Sequence, residues 1–359
     1  MESHNNVAAW QVTNTLVPYL LLWWLSLKAA AISLWLLPPL LVLLSLFSVR
    51  CFSLMHDCGH DVLFRSRRLN RAFGFLFGLI NAMPQLAWSR DHAFHHKTNG
   101  NWELYRGVAD FLTVDESLSS GGFQQKLYAG LRHPAMAIPG GFYYLAIKPR
   151  LDLLLGLTTR STLKPWANKA EFNDFVLSNL ITCAGALALG WWLGYGPFLG
   201  IYAAVLAMSA AIFIDIFFVQ HIFEKSYARD SENWDYLDGA LKGTSHLQLP
   251  AILRWFTADI GYHNIHHLSE RIPNYQLRLC HENNQHLLAD VPILKLSTML
   301  ECSKFLLWDP SVGHLVTIAS LSDGRAAEVS RDSAQAVQQP RSALGAGMEA
   351  GSAVPGSDG

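Results

Sequence analysis

From Phe175 to Ile214 the chain runs forty residues without one Asp, Glu, Lys or Arg. A helix needs about 20 apolar residues to cross the roughly 30 Å hydrocarbon layer of a bilayer. The stretch therefore holds two crossings, with Gly194-Tyr195-Gly196-Pro197 as the tight turn between them. Ala29 to Val49 and Ala72 to Ser89 are also free of charge, and Lys28 divides an N-terminal apolar pair. The sequence predicts an all-α integral membrane protein with four transmembrane helices, at about 13–34, 36–57, 172–193 and 197–221. Residues 72–89 are slightly short and contain Pro84 and Gln85, so they are expected to form a re-entrant or interfacial helix. Only 15% of the chain is charged, against about 25% in an ordinary soluble protein.

The net charge of -1 gives no basic field for nucleic acid, and no nucleic-acid partner is expected. The positive residues are placed asymmetrically. Fourteen of the 27 Lys and Arg lie between 65 and 171, eleven lie beyond 221, and the 194–197 turn has none. By the positive-inside tendency both termini, the segment 58–171 and the segment 222–310 face the cytoplasm. No basic region precedes the first apolar run, so a cleavable signal is not expected. Residues 1–12 read as a polar lead, 13–310 as the membrane domain, and 322–359, rich in Ala, Gly, Ser, Gln and Pro, as a disordered tail. Within the central segment, 118–141 reads as loop, and Tyr143 to Leu157 as a helix lying on the membrane surface. The five cysteines form no CxxC pair, which removes a zinc ribbon and a haem attachment.

Fifteen histidines are many for this length, and their spacing carries the chemistry. His56-Asp57-Cys58-Gly59-His60 places two imidazoles at i and i+4. His92-Ala93-Phe94-His95-His96 and His263-Asn264-Ile265-His266-His267 each place three at i, i+3 and i+4. Positions three and four apart share one helix face, so each cluster can aim its nitrogens at one point. One HxxxH is common on solvated helices. Two HxxHH clusters and an HxxxH, all expected on one membrane face, are not explained that way. His221 closes the fourth span, and taken alone it reads as an interfacial histidine.

A structural zinc takes four ligands, so eight or nine imidazoles suit two ions with open positions. Imidazole serves zinc, copper, iron and nickel alike, and ligand type alone does not choose among them. No HExxH metalloprotease motif occurs. Ligating histidines usually donate their other N–H to a carboxylate or carbonyl. Asp259, four residues before His263, and Glu224, three after His221, are the expected orienting carboxylates. Asp57 is left open, and Asp91 reads as a solvated charge. Asp215 lies inside the fourth span, where a lone carboxylate is costly unless paired or wet.

At these residues the chain resembles the membrane-bound fatty acid desaturases, by HDCGH at 56–60, HAFHH at 92–96 and HNIHH at 263–267, in that order. Three further blocks look closest to the Δ12-type acyl-lipid branch: Phe218 to Glu224, Trp255 to Tyr262 and Ile272 to Leu277. The resemblance covers roughly 35–290. It implies two iron ions held by His56, His60, His92, His95, His96, His221, His263, His266 and His267, with O2 as co-substrate. It implies a separate electron donor of ferredoxin or cytochrome b5 type, since no HPGG and no cysteine cluster is fused to the chain. Hydrogen removal from two neighbouring methylenes of a lipid-linked acyl chain would leave a cis double bond. Phe94 and Trp102 are expected to line the acyl tunnel. Asn264, where close relatives often carry another histidine, is expected to point away from the metals. Two other readings compete. An acyl hydroxylase or carotenoid oxygenase on the same scaffold would insert oxygen instead. A membrane metal transporter would set its ligands along a transmembrane path, whereas here they cluster at span ends.

Overall fold

The computed structural model describes residues 2–104, 110–159 and 164–322. Four helices are long and apolar enough to cross a membrane: α1 (Asn5–Ile32), Leu34–Gly59, Lys169–Leu193 and Tyr195–His221. The second opens with one 3-10 turn and continues as α2 (Leu37–Gly59), with Pro38 and Pro39 in its first turn where their missing N–H groups cost nothing. Between 17% and 39% of each apolar window is buried inside the protein. The outward faces of Leu, Val, Ile and Trp are thus covered by no protein, and hydrocarbon is the solvent that suits them. Trp35, Trp191 and Trp192 are largely exposed at the helix ends remote from the histidines, where an aromatic belt belongs.

The spans fall close to their expected places, but the first starts earlier. Residues 5–12 are helical, so the expected polar lead is mostly the first turns of α1. Those turns hold the rest of the chain: Gln11 Nε2 donates to Asn274 Oδ1 at 2.7 Å, and Ser3 Oγ to the Val62 carbonyl at 2.6 Å. The tail from 323 lies outside the described residues.

Residues 72–89, expected to form one re-entrant or interfacial helix, instead span the turn of a hairpin made by α3 (Arg67–Ile80) and α4 (Gln85–Thr98). α3 runs back along α2, and at the turn Ser48 Oγ donates to Asn81 Oδ1 at 3.2 Å. Ser48 is about 16 Å before the end of α2 at 1.5 Å per residue. α4 then climbs back to the level of His56, carrying its own three histidines. Its base is pinned by Leu86 N–H donating to Asp174 at 3.0 Å and by Arg90 paired with Glu171.

Residues 118–141 are not the loop expected from their glycines and serines. They contain the end of α5 (Val114–Ser119), all of α6 (Gly122–Leu131) and most of α7 (Ala137–Phe142). Thr113 caps α5 in a reciprocal box with Glu116. The next segment is not one regular helix. A π-helical turn at Tyr143–Ile147 leads into α8 (Lys148–Thr158), and Leu145 is fully buried among Leu54, Leu206 and Ala210. One of the glycines that read as loop signals is a packing device: Gly141 sits against Ala210, about 16 Å before the end of the last span.

The third and fourth spans are α9 (Lys169–Leu193) and α10 (Tyr195–His221), turned at Gly194 with φ 90°. Asp215 is half-buried and has no ion-pair partner among the described residues. After α10 come α11 (Tyr236–Leu241), α12 (Ala251–Phe256), α13 (His263–Leu268) and α14 (Asn274–Asn283). Short strands complete the cap. β1 (Leu112–Thr113) pairs in parallel with β4 (Phe305–Asp309), which pairs antiparallel with β5 (His314–Thr317). β2 (His246–Gln248) pairs in parallel with β3 (Ile293–Lys295). These strands are too short to carry a two-residue hydrophobic period, which is why the sequence shows a helical protein only.

Candidate metal centre

The nine histidines come together from α2, α4, α10 and α13, at the ends of the spans. They sort into two groups: His56, His60, His92, His96 and His266 in one, His95, His221, His263 and His267 in the other. Within each group one ligand nitrogen per residue lies within 4.8 Å of every other. His56 and His60 share one group, as their spacing leads one to expect, but each HxxHH cluster is split between the two rather than aimed at one point. His92 and His96 serve the first group and His95 the second; His266 serves the first, His263 and His267 the second.

The nitrogens fit a cation. His96 Nε2 and His92 Nε2 are 3.0 Å apart, and in the second group Nε2 contacts run His95–His221–His263–His267 at 3.2, 2.8 and 3.1 Å. Two nitrogens each about 2.1 Å from one ion and at right angles to each other stand about 3.0 Å apart. The Nε2 atoms of His56, His60 and His266 are buried with no hydrogen-bond partner. Neutral imidazoles brought this close with lone pairs converging repel one another unless a cation stands among them. Burial, together with the charges of the neighbouring rings, holds His92, His95, His96, His263, His266 and His267 well below the ordinary imidazole range. They stay neutral near pH 7, the state a metal needs. Five nitrogens exceed the tetrahedral set of a structural zinc, and both groups leave positions open in a six-coordinate site.

The orienting carboxylates differ from those expected. Asp259 is half-buried and pairs with no histidine among the described residues. The helix assumed to join it to His263 does not exist, because Ala258 and Asp259 adopt left-handed backbone, φ 49° and 55°, and α13 starts only at His263. Glu224 is exposed in the turn after α10, again away from the histidines. Their places are taken by Glu270 and Asp57. Glu270 Oε2 is 3.2 Å from His60 Nδ1, and Asp57 Oδ1 is 3.4 Å from His56 Nδ1. The other Asp57 oxygen accepts from both the backbone N–H and the side-chain amide of Asn274, each at 2.8 Å. The bond with His60 holds the Glu270 carboxyl below its usual range, helped by Lys97 and Arg271. The sequence signal for Glu270 was its place three residues after His267. Asn264 is fully buried, and neither its Nδ2 nor its Oδ1 has a hydrogen-bond partner among the described residues.

A cavity of about 1240 Å³ reaches both groups. Its wall includes His56 and His92 from one and His95 and His263 from the other, with Phe52, Trp88, Phe213 and Phe217 between them. Away from the histidines it descends past Met83 and Pro84 to Tyr143, Lys148, Asp152 and Leu155. Phe94 lines it as expected; Trp102 does not, and instead packs on Trp308 with ring centroids 5.7 Å apart. Such a volume exceeds that of pockets for compact ligands, about 300–1000 Å³, and suits a long flexible chain.

Residues 32–295 match the family model described as fatty acid desaturase. A protein named fatty acid desaturase from Bacillus subtilis (strain 168) is 34% identical over 314 residues, which is 87% of this chain and 86% of that one. Two Synechocystis proteins (strain ATCC 27184 / PCC 6803 / Kazusa) are more distant. The sn-1 oleoyl-lipid 12-desaturase is 25% identical over 64% of this chain and 63% of its own length. The sn-1 acyl-lipid omega-3 desaturase (ferredoxin) is 24% identical over 67% and 64%.

Proposed function

The chain belongs to the fatty acid desaturase family, and we propose that it uses O2 to introduce a cis double bond, Δ12-like, into a lipid-linked acyl chain. The observation that carries this reading is the apolar cavity walled by histidines of both groups. A methylene pair held there lies beside both candidate metal positions and away from water.

His56, His60, His92, His96 and His266 would hold one iron, and His95, His221, His263 and His267 the other. The metals would supply the redox chemistry with O2 that an unactivated C–H bond requires. Glu270 and Asp57 keep the Nδ1 protons of His60 and His56 outward, so that each Nε2 faces its group. Phe52, Trp88, Phe213 and Phe217 exclude water and fix the chain against the histidines. Two hydrogens leave adjacent carbons, and O2 with two further electrons and two protons leaves as two waters.

The cavity runs down between the re-entrant hairpin and α8, alongside the spans, and ends among Tyr143 and Leu155, both 46% exposed. Leu154 and Leu157 beside them face outward. An opening at that level favours an acyl chain entering sideways from the bilayer, which supports a membrane lipid as substrate. The positive-inside distribution supports a cytoplasmic face for the histidines and both termini. The Synechocystis 12-desaturase is the relative that supports the Δ12 assignment.

The test is expression in a host rich in monounsaturated lipids, beside a His95→Ala control, with fatty acids profiled by gas chromatography and mass spectrometry. A diene absent from the control is expected, and its bond position gives the regiochemistry. A hydroxylated acyl chain would move the chain to the oxygen-inserting reading.

A further inference from the structure

Polar side chains on an apolar span are costly unless they are paired. Gln11, in the second turn of α1, is paired with Asn274, the first residue of α14. Gln11 Nε2 donates to Asn274 Oδ1 at 2.7 Å, and Asn274 Nδ2 donates back to Gln11 Oε1 at 3.2 Å. Asn274 Nδ2 also donates to Asp57 Oδ2 at 2.8 Å, beside the Asn274 backbone N–H at the same distance. Asp57 Oδ1 faces His56 Nδ1 at 3.4 Å. A line of polar contacts thus runs from the first span to a histidine of the first group.

We propose that Gln11 is a positioning residue for the first histidine group: through Asn274 and Asp57 it holds His56, and so sets how tightly that group binds its metal. This rests on the reading that the two groups hold two ions. Asp57 and Asn274 are 3% and 2% exposed, so water does not stand in for a lost partner. Without Gln11 the Asn274 Oδ1 keeps no donor among the described residues, and turning the amide to find one takes Nδ2 off Asp57. The carboxylate is then held by one N–H instead of two and no longer fixes the His56 ring. That ring meets those of His60, His92 and His266 at 4.8, 4.6 and 4.4 Å, so its tilt is felt across the first group. The Asp57 carboxylate meets no ring of the second group among the described residues.

Gln11 is not needed as a fastening. Near it His4 N–H donates to Tyr275 Oη at 2.7 Å, Gln276 Nε2 to the Glu2 carbonyl at 2.8 Å, and Arg65 Nε to the Ser3 carbonyl at 2.7 Å. These bonds already tie the start of the chain to α14 and to the segment after His60, and they end on backbone or on Tyr275. Of the four ties, the Gln11 pair is the one that continues to a histidine.

The experiment uses the purified full chain in detergent, loaded under argon with iron(II) enriched in the Mössbauer isotope. Wild type, Gln11→Met, Gln11→Asn and Tyr275→Phe are titrated with a chelator while iron per chain and the Mössbauer spectrum are followed. Methionine keeps the length of glutamine and lacks its amide; asparagine keeps the amide but draws it back by one methylene. Both Gln11 variants are expected to release one of the two irons at about tenfold lower chelator than wild type, the scale for losing an outer partner of a ligating histidine. The other iron should follow the wild-type curve and then give the spectrum of an isolated ion. Tyr275→Phe removes a bond from the same clasp that has no route to Asp57, and should release both irons as wild type does. Wild-type release from both Gln11 variants, release of the two irons together, or an equal shift in Tyr275→Phe would each overturn the role of Gln11, while two irons in the wild type leave the metal reading standing. A wild type that takes up one iron or none overturns the metal reading, and the role of Gln11 with it.

Discussion

Glu270 Oε2 stands 3.2 Å from His60 Nδ1, joining a half-exposed carboxylate to a buried imidazole of the first histidine group. The contact fixes the ring so that Nε2 faces inward. Glu270→Ala is expected to lower iron affinity about tenfold, the weaker end of the usual range because the carboxylate is partly in water. Glu224→Ala should leave affinity unchanged, since Glu224 touches no histidine. Iron content after graded chelation, read by mass spectrometry, checks both; equal retention in the two variants would discard the Glu270 assignment.

Arg50 performs a similar task from inside the second span. It is buried, its Nε donates to Thr15 Oγ1 at 2.9 Å, its Nη1 donates to the Trp255 carbonyl, and its guanidinium lies 3.9 Å over the Trp255 ring. One side chain thus ties α1, α2 and α12, just ahead of the turn that leads to His263. Arg50→Lys keeps the charge but loses the planar fork, and should cost about 2–3 kcal/mol, the scale of hydrogen bonds to a charged group. A melting temperature in detergent equal to that of wild type would contradict this.

The spans and the histidine clusters were legible because each rests on a local rule: freedom from charge over a helix length, and a repeat that shares a helix face. What failed depended on contacts distant in sequence or on backbone that no residue advertises. Asp259 would orient His263 if the helix were continuous, but Ala258 and Asp259 are left-handed without a glycine to signal it. The split of each HxxHH between two groups is set by how α4 faces α13 across the site, which spacing alone does not encode. The segment 118–141 read as loop because glycine is a turn signal in water, whereas Gly141, beside a span, admits close helix approach.

Acid should act through His246 as well as through the histidine groups. Its ring stacks on Tyr262 and His281, at 4.5 and 4.7 Å, and Nδ1 donates to the Gly261 carbonyl at 3.2 Å. Burial, with the charges of His281 and Arg254 nearby, pushes it down to about 4. Between its ordinary value of 6.5 and about 4 the unfolded chain binds this proton and the folded one does not. The stabilisation is therefore complete above pH 6.5 and is lost as pH falls toward 4. His246→Asn keeps a donor for Gly261 and cannot titrate, so its melting temperature should fall less steeply over that window than that of wild type. Metal loss in acid affects both proteins alike, and only the difference in slope reports on His246. Parallel curves would mean that this ring titrates as it does in water.

Two adjacent glycines of α7 separate helix propensity from packing. A Cβ at Gly141 would lie 2.6 Å from the Ala210 Cβ and 3.0 Å from the Ala211 nitrogen, while one at Gly140 would meet nothing within 4 Å. Replacing either by alanine gains up to about 1 kcal/mol of helix propensity. Gly140→Ala should therefore be neutral or slightly stabilising. Gly141→Ala must push α7 away from α10, and overpacking of this kind costs roughly 1–3 kcal/mol. α7 leads directly into Tyr143, Tyr144 and Lys148, which wall the cavity, so Gly141→Ala should also lower product formation while iron content holds. Thermal melting beside product yield tests the pair. If both variants melted and reacted alike, the segment would not be seated against the last span, and the cavity wall built from it would have to be redrawn.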